Sequence, residues 1–130
     1  MTPHDISVLI NQSPMNRGMD GAAWLATKGN VAYVSESDDI VLFDRVTDGV
    51  FEFHWLRCKG SAKETRDFTL WAIDQMYSDH GAQLLFGQVP KARRDSQMMA
   101  RIIGAKCLGD TVTPHGLCTI FIMTREMRKG

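Results

Sequence analysis

Between Val50 and Val89 the spacing of apolar residues changes from two to three or four and back again, and this change constrains the fold more than any other feature of the sequence. The run Val50-Phe-Glu-Phe-His-Trp-Leu56 alternates as a strand does. Thr65 to Asp79 then sets Phe68, Trp71, Ala72, Gln75 and Met76 on one helical face, and Gly81 stops that helix. Ala82 to Val89, centred on Leu84-Leu-Phe86 and closed by Pro90, is an apolar run suited to a buried strand. A helical crossover between two strands of one sheet makes them parallel, and a ligand sits where their carboxyl ends diverge.

The flanking segments supply antiparallel partners. Val31-Ala-Tyr-Val34 and Ile40-Val-Leu-Phe43, separated by Ser35 to Asp39 and followed by the turn Thr47-Asp48-Gly49, form a three-stranded meander with the Val50 strand. Asp95 to Ile103 predicts a second crossover helix with Met98, Met99, Ile102 and Ile103 on one side and Gly104 as its stop. Two closing strands, Lys106 to Val112 and Leu117 to Met123, are joined by Thr113-Pro-His-Gly116. The start of the chain suits a short helix at Asp5 to Ile10, capped by Asp5 and ended by Ser13-Pro14. Residues 15 to 29, with Gly18, Gly21 and Gly29, suit a loop around a second short helix at Ala22 to Ala26. The expected fold is an α/β sandwich: a mixed, mostly antiparallel sheet with a splayed parallel central pair and flanking helices.

With 130 residues, 44% of them apolar, residues 1–130 make one domain. Fifteen basic residues balance fifteen acidic ones, so no overall field draws the chain to nucleic acid or a membrane, and any anion site must be local. Cys58, Cys107 and Cys118 are odd in number and lack a CxxC pair, which argues against a disulfide framework or a zinc site. Residues 1 to 30 show neither a secretion signal nor a bilayer-length apolar span, so a cytoplasmic protein is expected.

Chemistry concentrates in two places. The polar stretch from Arg57 to Thr65 joins a strand end to a helix start and carries the small residues Gly60, Ser61 and Ala62. First-turn N–H groups and the helix dipole favour an anion there, with Arg57, Lys59, Lys63 and Arg66 adding positive charge against Glu64 and Asp67. On local evidence a solvated connection is an equally good reading. Glu52 and His54 lie two apart and so share a face opposite Phe51, Phe53 and Trp55. Either could act as a base, although two polar residues on the open side of a strand commonly just face solvent. His4, His80 and His115 do not cluster with acidic residues, so no metal site is expected; the eight methionines, Met76, Met98 and Met99 among them, suit a soft core. Arg93-Arg94 opens the second crossover helix, where it could reach a phosphate or simply lie on the surface.

Over roughly residues 30 to 125 this arrangement resembles the GNAT superfamily of acetyl-CoA-dependent N-acetyltransferases. The likeness is strongest in Leu84-Leu-Phe-Gly-Gln-Val-Pro90 followed by Arg93, Ser96, Met99, Ile102, Ile103 and Gly104-Ala-Lys106. The family often has a strand, a proline, an Asn and, eleven residues after that Asn, Gly-Phe; the spacing from Arg93 to Gly104 fits. The resemblance implies acetyl-CoA as co-substrate, an amine acceptor, and a pyrophosphate loop over Leu56, Arg57, Cys58, Lys59, Gly60, Ser61, Ala62, Lys63, Glu64 and Thr65, with Arg93 nearby. The family loop reads Arg/Gln-x-x-Gly-x-Gly/Ala, and Lys59, Gly60 and Ala62 represent it here in degenerate form. It further implies Glu52 as the base, helped by His54, and an N–H near Leu56 that polarises the thioester carbonyl. The sequence departs from the family at Arg93, where Asn is usual, at Ala105, where Phe is usual, and at Ala100, where many members carry the tyrosine that protonates the leaving thiolate. The abbreviated N-terminal half, without a clear first strand, resembles small bacteriophage-encoded GNAT-like proteins. The alternative to an enzyme is therefore an inactive GNAT-shaped structural or interaction protein, such as a bacteriophage virion or host-takeover component, as a homodimer or in a virion assembly.

Overall fold

The computed structural model describes residues 1–13, 20–114 and 116–129. Gly18 and His115 fall outside them. Helix α1 (Pro3–Gln12) starts at Thr2 rather than at Asp5: Thr2 is the N-cap and Asp5 the reciprocal partner three residues in, so each side chain accepts the other's backbone N–H. Helix α2 (Gly21–Ala26) is capped by Asp20. It packs so closely on α1 that a Cβ at Gly21 would lie 2.2 Å from the Ser7 carbonyl oxygen, and the Gly21 N–H donates to Asn11 Oδ1 at 2.7 Å.

The strands β1 (Val31–Val34), β2 (Ile40–Thr47) and β3 (Val50–Arg57) form the expected meander. Helix α3 (Ala62–Asp79) crosses over to β4 (Leu84–Pro90), and α4 (Arg94–Ile102) leads to the hairpin of β5 (Lys106–Thr113) and β6 (Gly116–Thr124), followed by a short α5 (Arg125–Lys129). The sheet order is β1-β2-β3-β4-β6-β5. All neighbours are antiparallel except β3 and β4, which pair in parallel.

Alternation along β2 and β3 divides the core. Val41, Phe43 and Phe51 face α3 and pack on Ala72, Ile73, Met76 and Tyr77. Ile40 and Leu42 face the other way, onto Ile6, Ile10 and Trp24 of α1 and α2. Two helical faces differ from the spacing argument. On α3 the buried face is Thr65, Thr69, Ala72, Ile73, Met76 and Tyr77, while Trp71 is half exposed, its ring meeting the Tyr33 and Phe68 rings. On α4, Met98 and Ile102 face solvent, and Gln97 and Ala100 are buried. The reason lies in β4 and β6: the Gln97 amide donates to the Val89 carbonyl at 2.9 Å and to Thr119 Oγ1 at 3.0 Å, so a polar side chain is drawn inward by buried acceptors. Gly104 does end this segment, at φ +87°.

Candidate active site

Only Val50–Leu84, Phe51–Leu85 and Glu52–Phe86 pair across β3 and β4; beyond them the two strands separate. A bulge toward β2 lies at the same end of β3. Ile40 is opposite Arg57 and Val41 opposite Trp55, so Leu56 is an extra residue on β3, and a bulged residue drops out of the ladder. The opening becomes a cleft lined by Ile10, Ser13 and Trp24 from the helical side, by Leu42, Asp44, Phe53, His54, Trp55 and Leu56 from β2 and β3, and by Gln88, Val89, Pro90, Arg93 and Ser96 from β4 and α4.

Glu52 and His54 share a face of β3, but that face is not open to solvent: Glu52 is 7% exposed. Asp44, a residue that spacing alone did not single out, lies directly across the ladder from Glu52. Two carboxylates in such a pair repel unless something compensates them. His54 lies between them, with Nε2 2.9 Å from Asp44 Oδ2 and 3.9 Å from Glu52 Oε2. The indole N–H of Trp24 donates to the other Asp44 oxygen. The donor atoms of Asp44, Glu52 and His54 lie within 4.8 Å of one another, a spacing at which such groups either share protons or take up a divalent cation. This trio was legible in principle, since the turn at Thr47-Asp48-Gly49 sets the register that brings Asp44 opposite Glu52.

The loop after β3 carries the remaining expected residues, and its N–H groups are largely engaged. Asp39, 1% exposed at the start of β2, accepts from the Lys59 N–H at 2.5 Å and the Gly60 N–H at 2.8 Å through Oδ1, and from Thr65 Oγ1 at 2.9 Å through Oδ2. A Cβ at Gly60 would stand 3.0 Å from Asp39 Oδ2 and 3.1 Å from Glu64 Cβ, a tight fit that favours glycine. Ser61 caps α3 and forms a reciprocal pair with Glu64, each side chain accepting the other's N–H, and the Thr65 N–H bonds the Ser61 carbonyl. Among the described residues, the first-turn amides of Ala62 and Lys63 bond no acceptor. Of the amides from Gly60 to Thr65 expected to receive a diphosphate, those of Gly60, Ser61 and Glu64 bond side chains and that of Thr65 bonds the Ser61 carbonyl, which leaves Ala62 and Lys63.

Positive charge does gather at the cleft mouth. Arg57, Lys59 and Arg93 border one depression with Leu9, Gln12, Ser13, Trp55 and Leu56. The Arg57 Nε is buried without a hydrogen-bond partner, an orphaned donor suited to an anion. Lys63 instead pairs with Asp67, at 3.9 Å. Cys58 is an exposed residue whose thiol is pushed up to about 11, chiefly by burial, with Asp39 and Asp95 adding and Arg93 opposing. Since the residue is open at the surface, the two carboxylates are the firmer cause. Ala100 is buried among Val89 and Phe121, with no tyrosine in its place. Arg57, Gly60 and Ala62 stand at the Arg-x-x-Gly-x-Ala spacing of the loop that this segment resembles.

No family model matches the sequence, and no curated protein matches it. Solved structures do. The chain superposes on an aminoglycoside acetyltransferase AAC(6')-Ib in complex with coenzyme A, with TM-score 0.70 and 14% identity over 99% of this chain and 94% of that one. A spermidine N-acetyltransferase SpeG chimera from Vibrio cholerae and hSSAT gives TM-score 0.75 at 9% identity, covering 98% and 94%. A GNAT-family acetyltransferase from Bacillus anthracis gives 0.63 at 11%, covering 92% and 83%. The six-stranded mixed sheet with its splayed β3 and β4 has the GNAT fold.

Proposed function

We propose that this chain binds acetyl-CoA in the cleft between β3 and β4 and transfers the acetyl group to a small amine. The observation that carries this reading is the divergence of the two strands past Glu52 and Phe86, with an acid–base trio on one wall and Arg57, Lys59 and Arg93 at the mouth. The cleft holds ≈ 110 Å³, room for a thioester end and an amine but not for a whole coenzyme, so the diphosphate portion falls to the open basic rim. The residues fit such a substrate: Arg57 offers an unpaired buried donor, and the first-turn amides of Ala62 and Lys63 add the helix's positive end.

The chain's own contribution to the chemistry is threefold. Apolar walls at Leu42, Phe53, Trp55 and Val89 exclude water. The bulge at Leu56 gives β3 a residue outside the ladder whose N–H can meet a carbonyl oxygen. Glu52 and His54 provide the means to take a proton from the arriving amine. Neighbours of this fold carry aminoglycosides and spermidine in their names, which makes kanamycin and spermidine the first acceptors to try. Calorimetry with acetyl-CoA, then a thiol-release assay with both amines, tests the reading; no binding up to millimolar acetyl-CoA removes it.

A second reading is a GNAT-shaped protein without turnover, acting as a structural or interaction component such as a phage virion part. It draws support from Asp39 holding the Lys59 and Gly60 amides and from Ala100 at the position of the family's tyrosine. Coenzyme A binding without transfer to any amine would favour it.

A further inference from the structure

We infer that Asp44, held by Trp24, is a positioning residue that fixes the His54 ring with its Nδ1 lone pair free to take the amine's proton, making His54 rather than Glu52 the base. This rests on the acetyl-transfer reading above. Three observations carry it. Asp44 and His54 line the cleft, whereas Glu52 does not and is buried beneath them. Each Asp44 oxygen has its own partner, the Trp24 indole N–H on Oδ1 and His54 Nε2 on Oδ2. An imidazole that donates through Nε2 carries its lone pair on Nδ1, and no described residue bonds that atom.

Trp24 is 3% exposed and belongs to α2, so the orientation of Asp44 is tied to the helical cover of the cleft rather than to the sheet alone. The Asn30 side chain extends the tie, donating to the Trp24 carbonyl at 3.1 Å and accepting the Arg45 N–H at 3.1 Å. The charged groups beside the ring are Asp44 from β2 and Glu52 from β3; Arg93 before α4, Gln88 of β4 and Ser13 after α1 line the same cleft. In the transfer, the amine nitrogen forms the C–N bond as the C–S bond breaks. The amine's proton passes to His54 Nδ1, the two carboxylates stabilise the resulting imidazolium, and the released thiolate takes a proton from water.

Two readouts test this. Nitrogen-15 NMR of the protein without substrate reports the tautomer of His54 and is independent of any turnover. The wild type is expected to show Nε2–H and Asp44→Asn to lose it; an Nδ1–H ring in the wild type, or one unchanged in Asp44→Asn, would overturn the proposal. With acetyl-CoA and whichever of spermidine or kanamycin turns over faster, Asp44→Asn and His54→Gln should lower kcat about 10²–10⁴-fold with KM within threefold. Trp24→Phe should lower kcat by about tenfold, and Glu52→Gln by less than tenfold. A larger loss in Glu52→Gln than in His54→Gln, or a rate that requires an added divalent cation, would overturn it. If no amine turns over, the acetyltransferase reading fails while the tautomer result still judges the geometry.

Discussion

Replacing Asp39 by Ala removes an acceptor that three donors share, and the cost can be worked from their surroundings. Thr65 is buried and Asp39 nearly wholly so, which leaves the Thr65 hydroxyl unpaired in the core at about 1–2 kcal/mol. The Lys59 and Gly60 amides lie nearer the surface and can turn to water, so together they lose only about 1 kcal/mol. The absent charge at the opening of α3 adds a few tenths. The sum is about 3 kcal/mol, and at about 4 °C per kcal/mol for a chain of this length the midpoint of thermal unfolding should fall by roughly 10 °C. Asp39→Asn keeps one acceptor and the volume, and should lose about 1 kcal/mol. Urea unfolding of both variants measures these differences. An Asp39→Ala protein within about 0.5 kcal/mol of the wild type would refute the claim that this carboxylate organises the loop.

Cys58 should be a slow nucleophile: its thiol is held above the ordinary value, so in a Cys107→Ser background alkylation by iodoacetamide at pH 8 should lag an unstructured thiol, and an equal rate would refute this. Gly21→Ala forces a methyl group into the Ser7 backbone and should cost about 2–3 kcal/mol by chemical denaturation, whereas Gly104→Ala, whose added carbon meets nothing within 4 Å, should cost about 1 kcal/mol through its positive φ. The buried Tyr77 hydroxyl donates to the Met123 carbonyl at 2.8 Å, and Tyr77→Phe should lose about 1 kcal/mol at neutral pH. Burial, with Asp74 adding and Arg128 opposing, raises its ionisation above the usual 10.0. The native state therefore keeps a proton that the unfolded chain releases, so this contribution is complete below pH 10 and is lost as the pH rises further; Tyr77→Phe should flatten that alkaline decline, measured by thermal melts from pH 8 to 11.

The sheet was legible because its strands are dense in β-branched and aromatic residues and the segments between them carry turn residues such as Ser, Asp and Gly; β1, β2, β3 and the crossover to β4 fall within a few residues of the expected limits. Helix faces were less so. Hydropathy places Met98 and Ile102 inside and Gln97 outside, yet the buried acceptors on β4 and β6 reverse that order, and no apolar count registers an acceptor. The site shows the same division. Glu52, His54 and Arg93 stand out by residue type, whereas Asp39, Asp44 and Trp24 matter through partners 20 or more residues away, at Lys59 and Gly60, or on neighbouring elements whose packing no local window contains.

The three-pair seam between β3 and β4 makes the sheet, in mechanical terms, a pair of hinged panels. One panel, β1-β2-β3, comes from a contiguous stretch of chain; the other, β4-β6-β5, comes from the C-terminal third, and each retains its ladder if the seam parts. Only the crossover through α3 ties the panels covalently. Amide exchange should accordingly release the seam first and the two antiparallel ladders last, as separate cooperative blocks.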